Sequence, residues 1–227
     1  MTCGSQRKAL RHWDREDDQV PAAELDSAFG PHDELSPAMQ TALRRAQRAS
    51  QADCPVLLYG EPGVGKRWLA RFIHRQGLRH RGPLVVFEPN QSTTEAVWEA
   101  LFGREDEAAA SGLPGAVHAA NHGTLVIHGV ARLPEPVQGQ LLHLLEYGSA
   151  LPLRGYTDRK TSVRILATTA HTLQHPVHGR SVSPALYYHL SALTIHLPPL
   201  RYRLGELPGL VARLLERELE RSQHETE

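Results

Sequence analysis

The sequence has little cysteine and no net charge, and each of these shortages excludes a class of protein. Its two cysteines, Cys3 and Cys54, lack the number and spacing of a disulfide framework or a thiolate metal site. The 25 basic and 25 acidic side chains give a formal net charge of +0, so no overall field attracts nucleic acid or an anionic membrane. No apolar run is long enough for a signal peptide or a membrane span. We therefore expect a soluble, cytoplasmic protein that does not bind membranes.

The chain divides into a polar N-terminal segment and a longer region of alternating apolar patterns. Residues 1–30 are rich in charged side chains and contain few large apolar groups, so we expect a flexible N-terminal arm there. Order is expected to begin at Ser36, which can cap a helix that has Pro37 in its first turn. Beyond it, short apolar runs typical of buried strands alternate with stretches of helical spacing; the predicted strands are 55–60, 84–87, 124–127, 163–168 and 193–195.

This alternation predicts an α/β fold, in which a parallel sheet is covered by helices on both faces. Helices are predicted from about 37, at 65–76, 93–101 (with Ser92 as its cap), 134–147, 184–190 and 206–222. Residues 103–122 contain Gly, Pro and Ala without clear periodicity, so we predict a long loop there.

A glycine-rich segment follows the first predicted strand. Gly60 to Lys66 fits the spacing G-x4-G-K of a phosphate-binding loop, and it lies between a strand and a helix as that motif requires. Glycines let backbone N–H groups approach phosphate oxygens, and the lysine supplies a cation for the outer phosphates. The alternative is a glycine-rich turn with a surface lysine, but the strand–loop–helix order favours a phosphate site with Lys66 at its exposed mouth. The predicted nucleotide-binding residues are Gly60, Glu61, Pro62, Gly63, Val64, Gly65, Lys66 and Arg67.

The residue after Lys66 does not suit a metal ion. A Ser or Thr hydroxyl normally stands there and binds Mg²⁺. Arg67 instead presents a guanidinium, which has five hydrogen-bond donors and no acceptor and so cannot be a metal ligand. We therefore expect ATP or ADP as the ligand, with Mg²⁺ not well held.

Several further segments stand in the order and spacing of one known family. HGTLVIHGVARLP (122–134) stands where that family has GGTLFLDEIGELP, and VRILATTA (163–170) parallels its VRVIAATN. ALYYHL (185–190) and LPPLRYR (197–203) parallel its DLYYRL and LPPLRER. Together with the phosphate-loop segment, they make the region from about Ser36 to Leu215 resemble the AAA+ domain of bacterial sigma-54-dependent transcription activators.

The resemblance implies a division into three parts and a set of changed functional positions. The P-loop AAA+ core is expected over 31–200, and 201–227 is expected to be the remnant of a truncated helical lid. The acids with which the family holds Mg²⁺ and activates water are replaced here by His128 and Gly129. Glu88 replaces the asparagine with which the family restrains its catalytic acid, and Ala170 replaces the asparagine that senses the γ-phosphate, although the neighbouring Thr169 could still hydrogen-bond. Ser183 and His189 replace two arginines that reach the adjacent subunit, and Ala109 and Ala110 stand in the loop with which the family grips sigma-54.

These changes predict that the chain has no catalytic residues for efficient hydrolysis. Loss of an arginine finger alone costs on the order of a thousand-fold in phosphoryl transfer.

Three histidines near the predicted strand at 124–127 could form a metal site. His118 and His122 are four residues apart, which on a helix would suit zinc, and His128 follows. A zinc site and scattered surface histidines are both open interpretations. Because no Cys, Asp or Glu joins them in sequence, the second is favoured and no metal site is assigned.

The sequence supports three functional hypotheses. The leading one is a nucleotide-binding pseudo-ATPase that regulates transcription through other proteins, such as an AAA+ activator or a transcription component. The second is an interaction scaffold whose relic loop binds no nucleotide, and the third is a weak ATPase completed by a partner subunit. No helix-turn-helix segment follows the AAA+ region, so no autonomous DNA-binding domain is expected, and the oligomeric state is left open.

Overall fold

The structure, a computed structural model, describes residues 10–12, 35–90, 93–105, 113–155, 158–170 and 182–224. Ala109, Ala110 and most of the expected arm at 1–30 lie outside these ranges.

The helices of the described ranges follow the predicted order along the chain. Their starts have local causes: Ser36 accepts a hydrogen bond from the Met39 amide at 3.3 Å, and Thr93 accepts one from the Ala96 amide at 3.2 Å. Thr93, and not the expected Ser92, is therefore the cap of the third helix. No helix in the described part is both long and apolar enough to cross a lipid bilayer. The helices are α1 (Pro37–Ser50), α2 (Lys66–Arg75), α3 (Thr94–Phe102), α4 (Ala116–Ala119), α5 (Glu135–Tyr147), α6 (Pro184–Leu190) and α7 (Leu207–His224), and 3₁₀ turns lie at Val130–Arg132, Leu200–Tyr202 and Leu204–Glu206.

The strands of the described ranges are β1 (Leu10–His12), β2 (Val56–Tyr59), β3 (Leu84–Phe87), β4 (Thr124–His128), β5 (Ser149–Ala150), β6 (Arg159–Lys160), β7 (Arg164–Thr169) and β8 (Leu193–His196). Six of them form one sheet with the order β1-β3-β4-β7-β2-β8. Neighbouring strands among β3, β4, β7, β2 and β8 run parallel, whereas β1 runs antiparallel to β3 at one edge. β5 and β6 form a separate antiparallel pair.

Apolar side chains cover both faces of the sheet and form two cores. Along β2, Val56 and Leu58 point into one core with residues of α1 and α2, while Leu57 points into the other. The second core contains residues of α3, α4, α5 and α6. The predicted α/β fold, a parallel sheet with helices on both faces, is therefore confirmed.

Two segments differ from the prediction. Within the expected arm over 1–30, Leu10–His12 form a short strand that pairs with β3 and so satisfies backbone groups at a sheet edge. For the rest of 1–30 the arm stays a prediction. The expectation of a continuous loop over 103–122 is wrong at Ala116–Ala119, where one helical turn forms. This turn is stabilised because Ala116 and Val117 are buried in the core that also contains α3.

Candidate functional site

The carboxyl ends of the parallel strands bring the predicted site residues to one edge of the sheet. Gly60 follows β2, Glu88 follows β3, and His128 is the last residue of β4. In the sheet register His128 lies opposite Thr168 of β7. The edge formed by the carboxyl ends of parallel strands is where α/β sheets bind ligands. The glycine-rich loop, Glu88 and His128 therefore share one site.

The loop from Gly60 to Lys66 has a conformation that requires glycine. Gly60, Gly63 and Gly65 have φ angles of 153°, 81° and 102°. A Cβ atom at Gly60 would lie 2.7 Å from the carbonyl oxygen of Leu197, so no side chain fits there without a backbone shift. Gly65 is the N-cap of α2, and the loop therefore leads straight into a helix N-terminus, where N–H groups favour an anion.

Lys66 lies under the loop and is buried. Its Nζ donates hydrogen bonds to the carbonyl oxygens of Gly60 at 2.7 Å and Glu61 at 2.8 Å. Burial lowers the pKa of Lys66 below its ordinary value. The expectation of an exposed lysine is wrong, because the ammonium group turns back onto its own loop. Lys66 can reach an anion only by exchanging these two acceptors for it.

Two arginines in the segment after β8 donate hydrogen bonds to the glycine-rich loop. Arg201 Nη1 donates to Glu61 Oε2 at 2.8 Å, and this hydrogen bond lowers the pKa of the Glu61 carboxyl. The buried Arg203 donates through Nη2 to the carbonyl oxygen of Val64 at 2.8 Å. Contacts at loop positions 61 and 64 therefore depend on a segment about 140 residues further along the chain.

Glu88 joins two arginines at the same edge. Arg67 Nη2 lies 2.7 Å from Glu88 Oε2, and Arg132 Nη2 lies 3.1 Å from Glu88 Oε1. Partial burial by itself would raise the pKa of Glu88, but the hydrogen bond from Arg132 and the charge of Arg67 hold it below the ordinary value. Glu88 is therefore an ionised carboxylate with both oxygens engaged.

His128 and Gly129 stand where the resemblance places two acids. His128 Nδ1 lies 2.8 Å from Thr168 Oγ1, which also accepts a hydrogen bond from the Gly129 amide at 3.2 Å. The threonine hydroxyl is thus able to donate to Nδ1, the arrangement that a neutral imidazole allows. Burial, and then the charge of Arg67, lower the pKa of His128 below its ordinary value. The two positions therefore provide a neutral imidazole and a glycine, and no carboxylate.

The site as a whole is cationic. Lys66, Arg67 and Arg132 carry three positive charges and Glu88 carries one negative charge, a net charge of +2 with His128 neutral. Such a site favours a polyphosphate anion. Mg²⁺ is held by oxygen ligands, and both carboxylate oxygens of Glu88 are already paired with guanidinium groups. Across the described residues, no group of three or more His, Cys, Asp or Glu side chains could hold a metal ion.

The remaining changed positions make local contacts. Ser183 caps α6, accepting a hydrogen bond from the Leu186 amide at 3.3 Å, and His189 Nε2 lies 3.2 Å from Glu146 Oε1. At the end of β7 the Thr169 carbonyl oxygen accepts a hydrogen bond from the Gly60 amide at 3.3 Å. Ala170, which follows Thr169, has only a methyl side chain.

The three histidines of the metal hypothesis do not converge. His118 in α4 and His122 before β4 are exposed, while His128 is half-buried at the far end of β4. Six residues of extended chain separate His122 from His128 by roughly 20 Å. This geometry favours scattered histidines over a shared zinc site.

Three arginines at the site were not identified from sequence. Arg132 had a detectable signal, because it stands where the similar segment GGTLFLDEIGELP has its last glutamate, a reversal of charge. Arg201 and Arg203 match arginines of LPPLRER, but no sequence pattern connects them to a loop so distant in the chain.

Comparison with known proteins identifies the family. A family model described as the sigma-54 interaction domain matches residues 34–196. The chain belongs to this family. The matched region of this sigma-54 interaction domain includes the glycine-rich loop, Glu88, His128 and Arg132, whereas Arg201 and Arg203 lie just beyond it.

Curated relatives of the domain are longer proteins. The transcriptional regulator NtrC of Azospirillum brasilense is 34% identical over 205 residues, which cover 86% of this chain and 43% of that protein. A Geobacillus stearothermophilus protein named limonene hydroxylase is 35% identical over 192 residues, which cover 82% of this chain and 35% of that protein. The chain thus spans less than half the length of either relative, and neither name by itself defines what this domain does.

Solved structures share the fold. The crystal structure of NtrX from Brucella abortus in complex with ADP superimposes with a TM-score of 0.76 at 28% identity, covering 83% of this chain and 42% of that chain. The same protein in complex with ATP gives the same TM-score. The predicted P-loop AAA+ fold is therefore confirmed, and the bound nucleotides are a property of NtrX.

Proposed function

We propose that this sigma-54 interaction domain binds ATP or ADP at its glycine-rich loop without hydrolysing it efficiently, and regulates transcription through protein partners. The observation that carries the proposal is a contrast within one site. The loop keeps its left-handed glycines and leads into the N-terminus of α2, while His128, Gly129 and Arg132 occupy the region where the family has acids. The ADP and ATP complexes of the related NtrX support nucleotide as the ligand.

The residues present fit the polyphosphate of a nucleotide. Backbone N–H groups of the loop and the N-terminus of α2 provide donors for phosphate oxygens, and Lys66 and Arg67 provide positive charge. Hydrogen bonds from Arg201 and Arg203 hold the loop in place, which reduces the ordering that binding has to supply.

Hydrolysis needs groups that this site lacks. Gly129 has no side chain to act as a base, and His128 is a weak base because burial lowers its pKa. At the two positions of the family's arginine fingers, Ser183 caps a helix and His189 pairs with Glu146. A bound nucleotide is therefore expected to persist as a structural ligand that stabilises one conformation of the domain.

The family and its relatives indicate where such a domain acts. Membership of the sigma-54 interaction domain family and similarity to NtrC support a place in transcription control. Without turnover, the effect on transcription has to come from contact with another protein. An AAA+ activator with the same fold is the partner that best suits this chain.

An interaction scaffold without nucleotide is the second candidate. It is favoured by Lys66, whose two hydrogen bonds to its own loop already satisfy the ammonium group. Titration with a labelled, non-hydrolysable ATP analogue separates the candidates. Saturable binding supports the nucleotide-binding regulator, and the absence of binding supports the scaffold.

A purified transcription assay tests the regulatory role. With sigma-54 polymerase, ATP and a suitable promoter, we expect this protein alone to form no open complexes, and we expect it to change the output of a genuine activator in the same tube. The variant His128→Asp with Gly129→Glu should also fail alone. The Cβ of its new glutamate would lie 2.7 Å from Arg132 Nε, so Arg132 would have to move away, and Ala109 and Ala110 offer sigma-54 neither an aromatic ring nor a hydroxyl. Open complexes driven by the unmodified protein alone would overturn the proposal.

A further inference from the structure

Arg132 is directed back toward the end of β4 by a tight turn. Gly129 adopts a left-handed conformation with φ 77° and begins the 3₁₀ turn Val130–Arg132. Arg132 Nη2 then donates to the carbonyl oxygen of His128 at 3.1 Å and contacts Glu88 Oε1 at the same distance. Its guanidinium is therefore held at the edge of the sheet that carries the glycine-rich loop.

The Arg132 guanidinium occupies the space that a side chain at residue 129 would take. A Cβ atom built on Gly129 would lie 2.7 Å from Arg132 Nε and 3.0 Å from Nη2. Arg132 thus packs over the Cα of Gly129, in the volume where any other residue at 129 would begin. The glycine and the arginine are coupled, because Arg132 can take this position only while residue 129 has no side chain.

Glu88 places a second guanidinium beside the first. Arg67 binds one carboxylate oxygen of Glu88 and Arg132 binds the other. The hydrogen bonds of Arg132 to Glu88 and His128 both use Nη2, so a group with five donors has others to offer an anion. Arg67 directly follows Lys66, and the charges of Lys66, Arg67 and Arg132 all act on His128. Glu88 therefore holds the two guanidinium groups side by side, at the edge of the sheet that carries the glycine-rich loop.

We propose that Arg132, together with Arg67, binds the outer phosphates of the nucleotide in place of a divalent cation. The proposal rests on the proposed function and adds a specific residue to it. A planar guanidinium suits phosphate oxygens because it forms two parallel, charge-assisted hydrogen bonds. The pair of arginines supplies two positive charges, as Mg²⁺ does, without needing the oxygen ligands that the site lacks.

Binding of a fluorescent ATP analogue to the full chain, in EDTA and in excess Mg²⁺, tests the proposal. We expect the wild-type protein to bind equally well in both conditions. Arg132→Gln should weaken binding roughly tenfold in EDTA, the loss of one charge-assisted interaction. The analogous AMP probe, which has no outer phosphates, should bind the two proteins alike.

Arg45→Gln is the matched control, since it removes the same charge from an exposed position on α1. Arg132→Lys keeps the charge but loses the planar fork, and should give an intermediate loss. Equal ATP affinity of Arg132→Gln and Arg45→Gln, or wild-type binding that requires Mg²⁺, would overturn the inference while leaving nucleotide binding intact. If the wild-type protein binds neither probe in either condition, the proposed function fails with it.

Discussion

At the residue scale, Lys66 is the side chain on which the proposed phosphate binding depends most. Its ammonium group is buried under the loop and satisfied by the carbonyl oxygens of Gly60 and Glu61. Binding of a phosphate has to replace two hydrogen bonds that are already made, so only part of the new interaction appears as affinity. A site of this kind should bind nucleotide less tightly than one whose lysine faces solvent.

Lys66→Met separates the charge of this residue from its volume. The methionine keeps the length and apolar stem but removes the cation, so nucleotide affinity should fall at least about tenfold. Lys66→Met and Lys66→Ala both leave the buried Gly60 carbonyl without its donor, and this should lower the free energy of unfolding by about 1–3 kcal/mol. Isothermal titration calorimetry and chemical denaturation measure the two effects.

Lys160→Met is the control for these variants, because Lys160 is an exposed lysine of β6. It should change neither affinity nor stability. An unchanged nucleotide affinity in Lys66→Met would show that the lysine stays bound to its own loop and takes no part in binding.

Sequence reasoning was most successful for residues with a local signature. The G-x4-G-K spacing predicted a loop between a strand and a helix, and the structure has this loop between β2 and α2. The expectation that Arg67 does not bind Mg²⁺, because it has no acceptor, stays a prediction. The exposure of Lys66 was predicted wrongly, because hydrogen bonds to carbonyls of the same loop depend on its folded shape. The role of Arg132 depends on Glu88, 44 residues away, and only the three-dimensional structure brings them together.

At the element scale, burial decided which elements could be predicted. β2, β4 and β7 are apolar runs covered on both faces, and α1 and α6 begin at serine caps followed by proline, so the sequence contains a clear signal for each. β1 and α4 have three and four residues and therefore no detectable periodicity. They form because distant elements, β3 and the core around α3, provide their partners.

The segment after β8 joins three elements through one buried ion pair. Arg203 Nη1 lies 3.3 Å from Glu206 Oε2, with 3% and 1% of the side chains exposed. Arg203 also donates to Val64 in the glycine-rich loop, and Glu206 Oε1 accepts from the Ser36 amide at 3.0 Å. The start of α1, the loop and the start of α7 are therefore connected by hydrogen bonds and this ion pair.

Glu206→Gln tests this connection. The glutamine keeps the shape of the side chain but leaves the buried Arg203 charge without its counter-charge, which should lower the free energy of unfolding by about 3 kcal/mol. Urea denaturation measures the change. Adding Arg203→Met should cost less than the sum of the two single variants, because the pair acts as a unit.

Glu216→Gln, on an exposed part of α7, is the comparison and should be close to neutral. Strict additivity of the Arg203 and Glu206 variants would show that the two side chains do not depend on each other.

On the scale of the whole molecule, the sheet supports a site that is positively charged where the family resemblance places acids. Two apolar cores hold the parallel strands from both faces, so the strand ends that carry the loop, Glu88 and His128 keep fixed positions. The family fold and the phosphate loop are preserved, while Arg132 and Gly129 convert a region of acids into one that attracts anions. Under the proposed function, nucleotide binding continues although the groups for hydrolysis have been lost.

The central claim, binding of ATP without efficient hydrolysis, is tested by following a labelled ATP on the purified protein. After saturation, the retained nucleotide is separated and identified while phosphate release is measured, with and without an AAA+ activator that could supply missing groups. We predict saturable binding, recovery of intact ATP, and turnover below about 0.001 per second, a thousand-fold under the lower end of ordinary enzyme rates. Turnover near 1 per second by this chain alone, or no bound nucleotide at all, would contradict the claim.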